Sequence, residues 1–86
     1  MVEKKVTVVN PTGIHARPAS MVVAFVKNYP GKVEVIKEEK TGDMKSILMI
    51  LSMGLKQGTE ITLRVSGEDE EEFIESLARF IEELEG

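Results

Sequence analysis

The stretch "GIHARPASMVVAFV", Gly13 to Val26, decides how this chain folds. Proline lacks a backbone N–H and clashes with the preceding turn, so Pro18 is tolerated only in the first turn of a helix. The apolar residues that follow, Ala19, Val22, Val23 and Val26, fall at i, i+3, i+4 and i+7, which is one buried face of a helix. Together these place a helix that starts right after His15 and runs to about Asn28, where Tyr29, Pro30 and Gly31 end it. The histidine at its mouth is the only one in the chain.

Upstream, "VEKKVTVV" puts Val2, Val6 and Val8 on one face at a period of two, the pattern of a first strand, and Asn10-Pro11 with Gly13 breaks it. Downstream, "KVEVIK" places Val33 and Val35 on one face of a second strand. A short third strand ends near Asp43, weakened by Gly42, and Glu38-Glu39 is a poor two-residue hairpin turn. "SILMILSMG" opens on a good N-cap, Ser46, and stops at Gly54, a short helix. "TEITLRVS" alternates cleanly, with Ile61, Leu63 and Val65 inward. Asp69 with Glu72 reads as a capping-box start to a last helix whose buried stripe is Phe73, Ile74, Leu77, Ala78, Ile81 and Leu84. The order is βαββαβα. Alternating strands imply a sheet with one buried face, so the expected architecture is an α+β open-faced sandwich: a four-stranded, mainly antiparallel sheet with three helices on one face.

With 86 residues the chain is expected to form one domain, residues 1–86. Its 42% hydrophobic and 30% charged residues give a globular balance that argues against disorder. The absence of cysteine excludes disulfides and thiolate metal sites and suits a reducing cytoplasm. No apolar run has membrane-spanning length and Met1 leads into no signal-peptide core, so a cytoplasmic protein with no membrane insertion is expected. The net charge of −4 is uneven: Glu68–Gly86 holds nine acids against Arg79, while the preceding part carries a net +4. Such a chain is a poor nucleic-acid binder. The acidic segment, Glu68 to Glu85, reads as the solvated face of the last helix. Two asparagines, one glutamine and abundant Glu and Lys are a composition seen in thermophilic proteins.

A lone histidine is ordinarily a surface side chain. No second histidine or cysteine shares a metal with His15, and no nucleophile is paired with it at a hydrolase spacing. Its position beside a helix N-cap is the distinctive feature. Unpaired amides and the positive end of the dipole favour an anion formed on the ring. Arg17, in the same turn, adds a guanidinium that can fork onto that anion. A histidine so placed suits acceptance of a phosphoryl group.

The segment "GIHARPAS" resembles the active-site motif of the HPr family, the histidine-containing phosphocarrier proteins of the phosphoenolpyruvate-dependent sugar phosphotransferase system. The resemblance covers the whole chain, including "KSI" at the second helix and "SGEDEEE" at the third. It implies that His15 is phosphorylated on Nδ1 by Enzyme I and passes the group to sugar-specific IIA domains, that Arg17 contacts the phosphate, and that no cofactor is needed. A stoichiometric, monomeric carrier is implied, not an independent enzyme.

Serine is a good N-cap, which alone explains Ser46. A phosphate there would also be favoured by the helix dipole. "MKSILMILSMG" is similar to the regulatory segment of HPr proteins from Gram-positive bacteria, where this serine is phosphorylated by an HPr kinase. That likeness adds an HPr kinase/phosphorylase and a catabolite-control transcription regulator to the partners. The helix after Ser46 is apolar nearly all round, and one short helix on one sheet cannot bury every side. In the family, the residues matching Ile47, Leu48 and Leu51 dock partners. Met49 departs from the family pattern, where glycine is common; the nitrogen-related branch also fills this position, so both branches stay open. A purely regulatory HPr-like protein controlled through Ser46 is the competing reading, but family members of that kind lack the histidine that this chain keeps at position 15.

Overall fold

The computed structural model describes residues 1–84; Glu85, the last acid of the segment read as a solvated face, and Gly86 lie outside the described residues. The elements are β1 (Val2–Thr7), α1 (Ala16–Val26), β2 (Lys32–Lys37), β3 (Lys40–Asp43), α2 (Ile47–Ser52), β4 (Glu60–Ser66) and α3 (Glu70–Glu82). They form one four-stranded sheet in the order β1-β4-β2-β3, with every neighbouring pair antiparallel. The expected βαββαβα order and open-faced α+β architecture are what the structure shows.

β4 and β2 are the two interior strands, and β4 joins β1 to the rest of the sheet: Val65 faces Val2 on β1 and Val33 on β2, and Leu63 faces Lys4 and Val35. Its alternation places Ile61, Leu63 and Val65 in the core, each essentially buried, where a buried branched side chain contributes about 1.5–3 kcal/mol. The other face carries Arg64, whose Nε meets Glu3 at 2.8 Å while Nη1 lies 3.7 Å from Glu34. α3 lies across β1 and β4, α1 packs on α2 and α3, and α2 rests against β3. Gly42, expected to weaken β3, faces α2: an added Cβ would stand 2.8 Å from Met53 Sδ. Its missing side chain lets the short helix lie close to the strand.

Several boundaries differ from the sequence expectation. β1 ends at Thr7, yet Val8 is buried because the chain stays anchored: its N–H donates to Thr59 O and its carbonyl accepts from Gly58 N. Val2, at the end of an edge strand, is only half-buried, as is Val23 on the flank of the α1 stripe. α1 ends at Val26, with Lys27 and not Asn28 as its C-cap. Glu38-Glu39 does form a tight two-residue turn joining Lys37 to Lys40, with Glu38 taking the positive φ (56°) that asparagine or glycine usually supplies.

The capping box at α3 is overturned. Asp69 has φ 53°, ψ 33°, and this left-handed backbone does not aim its carboxylate at the helix amides; it makes no cap hydrogen bond. Glu70 reaches back instead, accepting from Gly67 N at 3.1 Å and from the Met1 ammonium at 2.7 Å. The ammonium first, and the Gly67 N–H second, hold the Glu70 carboxyl below the usual carboxylate range. Phe73 is half-buried, not a core residue, because its ring closes an aromatic stack 4.1 Å from Tyr29 and 5.8 Å from Phe25. Ile74, Leu77, Ala78, Ile81 and Leu84 are buried as expected.

The turn between α1 and β2 leaves no room at Gly31. A Cβ there would sit 2.0 Å from Ser66 O and 2.8 Å from the Tyr29 ring. Gly31→Ala therefore forces backbone apart at the end of β4 and should cost about 1–3 kcal/mol. A thermal melt should show a Tm lower by roughly 10 °C; an unchanged Tm would mean the turn moves freely away from the sheet.

Candidate functional site

Pro18 occupies the third position of α1, where its missing N–H has no intrahelical partner, and it is buried. That fixes His15 as the N-cap, with φ −97° and ψ −162°, its carbonyl accepting from Ala19 N at 2.8 Å. The His15 side chain caps nothing within the helix and is exposed to solvent. Its Nε2 lies 2.9 Å from Thr12 Oγ1, and Nδ1 makes no hydrogen bond with the described residues. In the first turn the N–H groups of Ala16 and Arg17 have no intrahelical acceptor. The Arg17 side chain is exposed and, among the described residues, enters no salt bridge. An imidazole, a guanidinium and a helix N-terminus thus share one small surface.

That surface is held from below. Gly13 has φ 71°, and a Cβ there would come within 2.6 Å of Leu55 O and 2.9 Å of Lys56 Cα. Only glycine fits this approach to the α2–β4 connection. Ile14, buried, donates its N–H to Leu55 O at 2.7 Å. The histidine loop is thereby tied to the chain leaving α2, a link that sequence periodicity does not reveal. Among the described residues no group of three or more His, Cys, Asp or Glu is placed to hold a metal.

Ser46 is the N-cap of α2, with φ −111° and ψ 114°, and its Oγ accepts from Met49 N at 3.3 Å. Beside it, Lys45 donates from Nζ to Tyr29 O and Gly31 O, clamping the end of the α1–β2 turn. At the other end of α2, Lys37 donates to Met53 O and Gly54 O, both at 3.1 Å, supplying positive charge where the dipole is negative. Lys45 belongs to the stretch that resembles the regulatory segment, but its hold on the α1–β2 turn, like that of Lys37 on the end of α2, is not visible in the sequence because each reaches across to another element.

The helix between these clamps buries Ile50 and leaves much of its apolar surface in solvent. Leu48 is 75% exposed, Met49 and Leu51 each 39%. Ile47 is half-buried against the core, so the exposed apolar face is made chiefly by Leu48, Met49 and Leu51. Met21 on α1, the helix that packs on α2, is exposed as well. The structure therefore brings His15 and Arg17 together on α1, and an apolar face onto the neighbouring helix. It shows no contact between Ser46 and His15.

A family model described as the phosphorylation site of the HPr component of the phosphotransferase system matches residues 2–83. The chain belongs to the HPr family. It is similar to the phosphocarrier protein HPr of Lysinibacillus sphaericus, 45% identical over 84 residues that cover 98% of this chain and 96% of that protein. A crystal structure of HPr from Thermoanaerobacter tengcongensis superposes with a TM-score of 0.89 at 39% identity, over 95% of this chain and 92% of that one. A crystal structure of Crh from Bacillus subtilis, described as a swapped, intertwined dimer, has a TM-score of 0.77 at 40% identity and covers 96% of this HPr chain and 95% of its own. No helix of this HPr chain is long and apolar enough to cross a membrane among the described residues.

The cap at Ser46 is directly testable. Ser46→Ala removes the acceptor for Met49 N and should cost about 1 kcal/mol, lowering Tm by roughly 4–8 °C. Ser46→Asp keeps an acceptor at the N-cap and should melt close to the parent chain. Equal melting of all three proteins would show that the hydroxyl caps nothing in solution.

Proposed function

We propose that this chain is a phosphocarrier that accepts a phosphoryl group on Nδ1 of His15 from phosphorylated Enzyme I and passes it to sugar-specific IIA domains. The observation that carries this reading is the exposed His15 N-cap, with Nε2 against Thr12 Oγ1 and Nδ1 without a hydrogen bond to the described residues. In the reactive tautomer Nε2 keeps the proton and donates it toward Thr12 Oγ1, leaving the lone pair on Nδ1. That pair attacks phosphorus while the donor–phosphorus bond breaks and its electrons leave with the donor. The oxygens of the transferred group meet the first-turn amides and the Arg17 guanidinium, which favour negative charge there. Reversal of the same steps delivers the group to the next acceptor, so the chain is a stoichiometric relay and not an independent catalyst.

A donor that is itself a protein needs a surface to hold. Leu48 and Leu51, with Ile47 at their base, offer an exposed apolar face beside α1. Ser46 caps the same helix, so a phosphate on its hydroxyl would add nearly two negative charges at the rim of that face and oppose docking of an acidic partner. This is the regulatory role we assign it, with an HPr kinase/phosphorylase as the modifying partner and a catabolite-control transcription regulator as reader of the modified form. The working form is cytoplasmic and monomeric, a single domain with no direct nucleic-acid contact. Met49, exposed on the docking face, is the feature that favours a nitrogen-branch acceptor as the second reading.

Incubation with phosphoenolpyruvate and Enzyme I should place an acid-labile, alkali-stable label on the parent chain. His15→Ala should lose it entirely and stay folded, since the side chain is exposed. Arg17→Ala should accept the group roughly tenfold more slowly, the worth of one charge-assisted hydrogen bond. Retained acid-labile label in His15→Ala would remove His15 from the relay.

A further inference from the structure

Asn10 is 1% exposed, the only buried side chain of a charged or amide residue among those described. Its Nδ2 donates to Gly13 O, and its own carbonyl accepts from Gly13 N at 3.0 Å, closing the turn twice. The Gly13–Ile14 peptide is thus gripped on both edges: Asn10 holds its carbonyl, and Leu55 O takes its N–H at 2.7 Å. A single further peptide separates this fixed plane from His15. Upstream, Val8 is itself pinned between Thr59 O and Gly58 N, so the brace starts from rigid backbone.

The orientation of the Asn10 amide follows from chemistry, because only its NH₂ end can face a carbonyl oxygen. That choice leaves Oδ1 buried with no hydrogen-bond partner. An unpaired buried acceptor costs free energy, and a small apolar residue would fill the same space without that cost. What the asparagine supplies in return is the donor at Gly13, directly ahead of the imidazole.

We infer that Asn10 is a positioning residue for phosphoryl transfer at His15, its buried amide fixing the peptide from which the ring and the first-turn amides of α1 take their geometry. The inference rests on the proposed phosphocarrier reading. Among the described residues Asn10 makes no hydrogen bond to the ring or to α2, so its effect falls on the transfer step and not on partner affinity. Small misplacement of a reacting group is enough to slow a transfer severely, since the reaction depends on alignment of attacking and leaving atoms.

Transfer from phosphorylated Enzyme I is measured over a range of donor concentrations for the parent chain, Asn10→Ala and Asn10→Asp, at a temperature where circular dichroism shows all three folded. Asn10→Asp keeps the shape but sets a carboxylate against Gly13 O. Both variants should be roughly tenfold slower at saturating donor, with half-saturation moved less than about twofold. A brace that only stabilises the fold would lower Tm and leave the saturating rate unchanged, and that result overturns the inference. Should neither variant fold, the parent chain decides it by NMR: phosphorylation of His15 should shift the Asn10 side-chain amide and the Ile14 amide, and unmoved resonances overturn it. A parent chain that takes no label on His15 overturns the phosphocarrier reading and this inference together. A labelled parent with equally fast variants overturns the inference alone.

Discussion

The hydrogen bond from Ile14 N to Leu55 O, 2.7 Å long, is the constraint on which the site depends. It joins the loop before α1 to the segment that follows α2, some forty residues later in the chain. The close seat of Gly13 on Leu55 and Lys56 makes the bond possible, since any Cβ would strike that backbone. With the bond in place, Ile14 is buried, Pro18 sets the start of the helix, and His15 has nowhere to stand except the exposed N-cap. The same bond fixes the histidine loop relative to the chain that carries the apolar face of α2. The imidazole and the apolar face are therefore tied to one stretch of backbone, an arrangement that suits the proposed transfer between proteins.

Charge is distributed to match. α3 covers β1 and β4, and two of its acids are paired with groups at the start of the chain: Glu70 with the Met1 ammonium and Glu75 with Lys4 on β1. These are surface pairs of small individual worth. Around the site the charges that matter are cationic and fixed by geometry. Arg17, on the first turn of α1, enters no salt bridge among the described residues, while Lys45 is bound to carbonyls of the α1–β2 turn and Lys37 to those at the end of α2.

Most of the fold was legible because its signals are local. Pro18 and the spacing of Ala19, Val22 and Val26 mark α1, strict alternation marks β4, and Ser46 marks the start of α2 through the hydrogen bond it makes. The placement of His15 and Arg17 at the mouth of α1 was legible for the same reason, the two being neighbours in one turn. What escaped depends on backbone geometry or on distant partners. Asp69 carries the right side chain for a cap but the wrong φ, and Glu38 accepts a φ its residue type disfavours. In the sequence Asn10 reads only as part of the break after β1 and Thr12 carries no signal of its own, because a hydrogen bond to Gly13 O or to the His15 ring exists only once the loop is seated on Leu55. Phe73 has the periodicity of a core residue, and its place at the edge follows from stacking on Tyr29.

Central to this account is a ring presented in one orientation, with Nε2 turned to Thr12 and Nδ1 to the incoming phosphorus. The most direct measurement is a ¹⁵N spectrum of the His15 ring before and after phosphorylation by Enzyme I and phosphoenolpyruvate. Coupling of phosphorus to Nδ1, with the proton retained on Nε2, is the expected result. Phosphorus on Nε2, or on any residue other than His15, would contradict it.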